Sequence, residues 1–270
     1  MPTDTKRLPV PETSICPSTL IEDISAKKLP LISNNKRRDD RLCTQLRHVY
    51  AKLKVISQAQ GSAYIEIGNT KVICSVYGPR EVKKRDEFSM DGQLCCDFKF
   101  ATFSCPQRRS HLSDNEEKEL SQQLLNALSP AVCLNKFPKA RVEIFALVLE
   151  NDGSAFSAAI NCASLALVDA SIELYDIPVA ACVRYDGVNL IVDPQLNEEY
   201  SHQESNLSEE NGQVLVAYLP VLKQISALNH VGCLSSKVLN QSMKLCIEAT
   251  QKMHTIFQEC IKEKVKSIMD

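Results

Sequence analysis

No stretch of this 270-residue chain approaches the roughly 18 consecutive apolar residues of a membrane span, so no bilayer-crossing helix is expected. Lys6 and Arg7 stand near the start without an apolar segment behind them, so a secretory leader is not expected either. Twelve cysteines are present, yet no C-x-x-C occurs, and none of the five histidines stands at ligand spacing from a cysteine pair. Neither a metal site nor a disulfide framework is therefore expected. The one adjacent pair, Cys95-Cys96, falls on an expected strand and should point to opposite faces. Cys74, Cys133, Cys162, Cys182 and Cys246 lie inside apolar segments, where a thiol acts as a small hydrophobe, and a reducing compartment follows. A surplus of charge is missing too. The formal net charge of −2 gives the molecule no general attraction for nucleic acid, so any such contact must come from local patches.

What is present begins after a proline-rich start. Residues 1–36 carry five of the twelve prolines and no sustained periodicity, which reads as a flexible arm with a short turn near Ile21-Ile24. Lys36-Arg37-Arg38 reads as a solvated junction, with a localisation or RNA-contact role as the alternative, and residues 37–270 as the folded body. Alternating segments at His48–Ile56 and Ser62–Ile67 suggest half-buried strands, and Gly68-Asn69-Thr70 supplies a hairpin turn into Lys71–Tyr77. Gly78-Pro79 should end that strand. Another alternating strand, Gln93 to Phe103, would complete an antiparallel meander.

The basic loop Ser104–His111 precedes a helix whose start is marked by Ser113-Asp114-Asn115-Glu116, which fits a capping box. Leu120, Leu124 and Leu128 continue it to Pro130. The near-continuous apolar run Val142–Leu149 reads as a strand buried on both faces. Strands at Val179–Tyr185, Leu190–Val192 and Val214–Leu219 follow, then an amphipathic helix from Ser235 to about Ile268. The order is α+β, with mixed and antiparallel sheets and helices packed on them, divisible near residue 175 into subdomains of about 37–175 and 176–270.

One stretch stands at the centre of this plan. Asp152-Gly153-Ser154-Ala155-Phe156-Ser157-Ala158-Ala159 joins the apolar strand to a helix of small residues, about Ala155 to Ser171. A strand, a Gly/Ser turn and a helix N-terminus together present backbone N–H groups and the positive end of the helix dipole to an anion. Ala155, Ala159, Ala163, Ala166 and Ala170 form one smooth helix face. Ser154 and Ser157 read as helix caps, Glu198-Glu199 as a solvated pair, and Asp169 as structural.

These pieces resemble the ribonuclease PH family, across about Arg41 to Ile268. The resemblance rests on Gln45-Leu46-Arg47, on Gly61–Val72 with Val76-Tyr77-Gly78-Pro79, on the Asp152–Ala159 turn and on Ala166–Ala170. The second block is similar to the eukaryotic and archaeal exosome branch of the family. The resemblance implies a ribonuclease PH-like fold and a place in a ring of six such chains, as heterodimers with another ribonuclease PH-like subunit. An RNA-binding cap subunit would sit above, and RNA would pass through the central pore. It implies a nuclear, nucleolar and cytoplasmic location.

Active members use inorganic phosphate to attack the last RNA linkage, and the resemblance places Gly, then Ser or Thr, then Arg after the Asp-Gly turn. Here those positions read Ser154, Ala155 and Phe156, a degenerate phosphate site without hydroxyl or guanidinium at its last two positions. Downstream, Tyr200 stands where the family often has Asp, and no Asp occurs between Asp193 and Asp270. Glu204, Glu209 and Glu210 could in principle substitute. The expectation is an inactive homologue with no catalytic residues, no cofactor and no metal. Arg108 and Arg109 match the family loop that lines the RNA path and are the expected RNA contacts, with a solvated pair as the alternative. The competing function is an active phosphate-dependent 3'-to-5' exoribonuclease.

Overall fold

The structure, a computed structural model, describes residues 32–33, 36–82, 89–112, 114–200 and 211–269. Most of the expected arm, with its turn at Ile21-Ile24, lies outside the described residues, as do Ser113, Glu204, Glu209 and Glu210; the described residues before 38 form two short strands, β1 (Ile32–Ser33) and β2 (Lys36–Arg37). The first main sheet holds β3 (Val49–Leu53), β4 (Gly61–Ile67), β5 (Thr70–Glu81), β6 (Gln93–Phe100) and β7 (Ala140–Glu150). Its order is β3-β4-β5-β7-β6. The second sheet holds β8 (Val179–Tyr185), β9 (Leu190–Val192), β10 (Asn211–Leu219) and β11 (Gln224–Cys233), in the order β11-β10-β8-β9.

The meander is real through β5, but β6 does not continue it. β7 pairs antiparallel with β5 and parallel with β6, so the apolar β7 takes the inner place and β6 the edge. The chain between β6 and β7 is long enough for this because it contains α1 (Asn115–Leu128), the crossover that a parallel pair needs. β7 is also not buried on both faces. Val142, Ile144, Ala146 and Val148 are buried, whereas Phe145 and Leu147 are 41% and 37% exposed, because no layer of the described residues covers the outer face of this sheet. Nor does Gly78-Pro79 end β5. The strand runs on to Glu81, with a register shift between Tyr77 and Arg80 that absorbs the Gly-Pro step as a bulge.

Between the two sheets lies α2 (Ala155–Asp169), buried nearly all round. Its small side chains let both sheets approach. A Cβ at Gly61 on β4 would stand 2.3 Å from the Ala170 nitrogen and 2.4 Å from the Ala166 oxygen, so only glycine fits where strand and helix end meet. α4 (Ser236–Met269) covers the other face of the second sheet, burying Cys246, Ala249, Met253 and Phe257. The start of α1 is one residue later than the sequence suggests. The cap is Asp114, whose N–H donates to Glu117 Oε2 at 3.4 Å, and Glu117 Oε1 accepts the Phe100 N–H at 3.0 Å. Glu117 rather than Glu116 closes the box because it is the one that β6 buries.

Cysteines behave as small core residues where apolar segments carry them. Cys74, Cys133, Cys162, Cys182 and Cys246 are buried free thiols, and burial pushes the thiols of Cys96 and Cys246 up to about 12.

Candidate anion site at the strand-helix turn

The turn between β7 and α2 is held from below by Arg47. Its guanidinium donates to both carboxylate oxygens of Asp193, Nε to Oδ2 at 2.9 Å and Nη2 to Oδ1 at 2.7 Å. The remaining donors reach the Asp152 carbonyl at 2.8 Å, the Gly153 carbonyl at 3.0 Å and Thr70 Oγ1 at 3.2 Å. Both partners are almost fully buried. Burial works against the charge on Asp193, but the Arg47 contacts outweigh it and hold the carboxyl below its ordinary value, while Asp193 in turn raises Arg47. This fork ties the entry of the first sheet, the turn and the end of β9 together. Gly153 is required here: its φ is +86°, and a Cβ would meet the Pro194 oxygen at 2.5 Å.

From above, the turn is held by α3 (Leu196–Tyr200), a single helical turn. Glu199 Oε1 accepts the Ser154 N–H at 2.9 Å and the Gln213 amide at 3.1 Å. Glu198 is 4% exposed; its Oε2 accepts the Gln195 N–H at 2.9 Å and lies 3.5 Å from Arg37 Nη1. Two expectations fail at this point. Glu198-Glu199 is not a solvated pair, because the helical turn directs one carboxylate to the Arg37 guanidinium and the other to the α2 N-terminus. Arg37 is not part of a solvated junction: at 3% exposure it donates to the backbone carbonyls of Cys43, Val192 and Asp193. Burial raises the Glu199 carboxyl above its ordinary value despite the donors facing it.

The N–H groups of the three residues that lead into α2 are therefore occupied. The Asp152 N–H goes to Thr70 Oγ1 at 3.2 Å, the Gly153 N–H to Asn151 Oδ1 at 3.1 Å, and the Ser154 N–H to Glu199. Ser154 stands at the cap position with φ +54°, but its hydroxyl turns away to the Pro194 carbonyl at 3.1 Å. Ser157 Oγ donates to the Ser154 carbonyl at 2.8 Å. Neither serine hydroxyl caps the helix, contrary to the expected role, because each is spent as a donor to a backbone carbonyl.

Above this floor is a cleft of about 260 Å³ between the two sheets, lined by Phe100, Arg109, Glu116, Ala155, Phe156, Glu199 and Gln213 among others. The Phe156 ring is packed edge-on against Phe98 with ring centres 6.0 Å apart, so it fills the wall rather than presenting a polar group. The two arginines of the basic loop part company. Arg108 is exposed. Arg109 turns into the cleft, stacks 4.0 Å from the Phe100 ring centre, and donates to Glu116 Oε2 at 3.1 Å and the Cys105 sulfur at 3.3 Å. Asp169 is structural, as expected: Oδ2 accepts the Ser62 N–H at 2.8 Å and Oδ1 pairs with Lys264.

Residues 45–173 match the family model described as 3' exoribonuclease family, domain 1. The chain is 36% identical over 244 residues to the Exosome complex component RRP41-like of Arabidopsis thaliana, covering 89% of this chain and 91% of the relative. The chain belongs to the ribonuclease PH family. It is also 34% identical over 277 residues to the human Exosome complex component MTR3, covering 97% of this chain and 95% of that one. Solved structures share the fold. An Archaeoglobus fulgidus exosome with RNA bound to the active site matches with a TM-score of 0.73 at 22% identity, over 89% of this chain and 98% of that one. Rice Rrp46 matches at 0.70 and 23% identity, over 82% and 98%.

Arg47, Asp193 and Glu199 were not singled out as site residues from the sequence. Arg47 lay within a family block and Asp193 beside the strand-breaking Pro194, but nothing local to either shows that they meet across 146 residues.

Proposed function

We propose that this ribonuclease PH-family chain is a non-catalytic ring subunit of an RNA exosome. In this reading it pairs with another ribonuclease PH-like subunit, supports an RNA-binding cap subunit and helps guide RNA through the central channel for 3'-to-5' processing and decay. Its relatives support ring membership, since they carry the names of exosome components. The MTR3-type subunit is the specific identity we favour, on the near-complete coverage of that relative. Nucleus, nucleolus and cytoplasm are the locations this role implies.

The observation that carries the inactive reading is the Glu199 carboxylate at a turn whose own residues bring no cation. A phosphate dianion needs cations or uncommitted N–H donors. Here the N–H groups of Asp152, Gly153 and Ser154 are bound to the chain's own oxygens, which leaves an anion only the first-turn N–H groups of α2, beside a carboxylate that would repel the dianion. Ala155 and Phe156 add no cation, and Arg109 is already shared with Glu116. Arg108, exposed on the loop, and Arg109 at the cleft are the proposed RNA contacts; phosphate contacts of this kind are blind to sequence and weaken with salt.

One observation favours the competing reading of an active phosphate-dependent exoribonuclease. Glu199 does bring a carboxylate into the cleft, where Arg109 also points. The deciding experiment incubates the purified chain, alone and with its ring partner, with RNA and inorganic phosphate. No release of nucleoside diphosphates is expected; release that disappears in Glu199→Gln would establish the active reading.

A further inference from the structure

The second sheet ends on β11, and no strand among the described residues pairs with its far edge. An open edge is a template for another strand, and natural proteins blunt it with charges, proline or short length. β11 uses none of these. It is ten residues long, and its sequence, Gln-Ile-Ser-Ala-Leu-Asn-His-Val-Gly-Cys, contains no proline and no Asp, Glu, Lys or Arg.

Its start is apolar and exposed as well. The pairing with β10 steps from Tyr218↔Ile225 to Ala217↔Ala227, so Ser226 is bulged and Ile225 and Leu228 fall on the same face. They are 45% and 49% exposed. The turn that leads into β11 adds Val221 at 69% and Leu222 at 45%. That turn is fixed in place: Asp176 Oδ2 accepts both the Val221 N–H at 2.7 Å and the Leu222 N–H at 3.2 Å. The clamp also brings up the neighbouring Tyr175, 59% exposed. One corner of the sheet thus carries an aromatic ring, four aliphatic side chains and an unpaired backbone ladder.

The chemistry selects the kind of partner. A nucleic acid needs cations, and β11 supplies none. Backbone N–H and C=O groups at strand spacing are matched by another extended chain, with apolar neighbours to exclude water. A second copy is a poor fit. Two-fold pairing of β11 with itself would run antiparallel and set the apolar start of one strand against His230–Cys233 of the other, leaving much of the corner uncovered.

We propose that the free edge of β11, with Tyr175, Val221, Leu222, Ile225 and Leu228, is the seat of an edge strand from a different ribonuclease PH-like chain, extending the sheet across the subunit boundary. This rests on the ring-subunit reading and gives it a location on the molecule.

The test purifies the full tagged chain with its associated subunits, identifies them by mass, and compares backbone hydrogen exchange of β11 in the isolated chain and in the complex. Exchange over residues 224–233 should slow by about tenfold or more on assembly, and Ile225→Lys with Leu228→Lys should cut recovery of ribonuclease PH-like partners by about tenfold, as loss of central apolar contacts does. The milder Leu228→Thr, which keeps a strand-forming residue, should weaken recovery in the same direction with an unchanged melting temperature.

If the wild type recovers such partners but β11 exchange is unchanged and the double variant retains them, the edge is not the interface and the ring reading stands. If the wild type recovers no ribonuclease PH-like chain, the ring reading itself fails. A pure homodimer dissolved by the lysine variants would overturn the proposal in favour of a second copy, and protection of β11 by added RNA would overturn it in favour of nucleic acid.

Discussion

Replacing Arg47 by alanine should do more damage than any other single change near the turn. The guanidinium makes the paired contacts to Asp193 and also serves Thr70 and two backbone carbonyls. Without it the Asp193 carboxylate stays buried, and the nearest remaining cation is Arg41 Nη1 at 3.8 Å. Removing one partner of a buried pair costs about 3–5 kcal/mol, because the other charge is left uncompensated. Set against a typical domain stability of about 5–15 kcal/mol, the variant should be marginal.

Urea unfolding of Arg47→Ala, Asp193→Ala and the double variant measures this. The double variant should cost less than the sum of the singles by more than about 1 kcal/mol, since it orphans no charge. The cost of Arg47→Ala should also depend on pH. Asp193 titrates below its ordinary value of 3.8 in the folded wild type, so the pair's stabilisation is present above that value and fades as pH falls through it. The gap between wild type and variant should therefore narrow below about pH 4. A cost for Arg47→Ala under about 1 kcal/mol at neutral pH would refute the view that this fork holds the turn to the two sheets.

Glu199 should show the opposite sign. Its folded value is raised above 4.5, so protonation favours the folded state, and that advantage is lost as pH rises through the raised value. Melting curves across pH should show Glu199→Gln gaining on the wild type from acid toward neutral pH; parallel curves would refute the burial of this carboxylate. Gly61→Ala should destabilise by more than the usual 1–3 kcal/mol of overpacking, because the contacts at 2.3 and 2.4 Å are to backbone that cannot rotate away, and denaturant midpoints would show it. Glu117→Ala should cost about 1–3 kcal/mol by leaving the Phe100 N–H without its acceptor, whereas Glu116→Ala should stay near neutral for folding. Arg108→Ala should leave stability within about 0.5 kcal/mol of wild type and weaken RNA crosslinking to the assembled ring; undiminished crosslinking would remove Arg108 from the RNA path.

Much of the fold is legible in the chain because it is written in local patterns. The hairpin at Gly68-Asn69, the helix from Ser236 and the small-residue helix after Gly153 follow from turn chemistry and periodicity within a few residues. β11 escaped because its alternation is broken by the Ser226 bulge and its exposed side is apolar, so neither face gives the contrast that marks a strand. The place of β6 escaped because strand order depends on which neighbour is most apolar, not on what precedes it in the chain.

At the turn, the sequence alone determined that a strand-Gly-helix layout exists and that Ala155 and Phe156 leave it without a hydroxyl or cation where an anion would sit. Those are properties of residue type at fixed spacing. Only the tertiary structure decided that Arg47 grips the turn from one sheet while Glu199, from a stretch that reads as solvated, occupies its N–H from the other side. The reason is physical: a carboxylate's role is set by the donors and the burial around it. Here those donors come from residues 45 and 14 positions away in the chain, which no local pattern records.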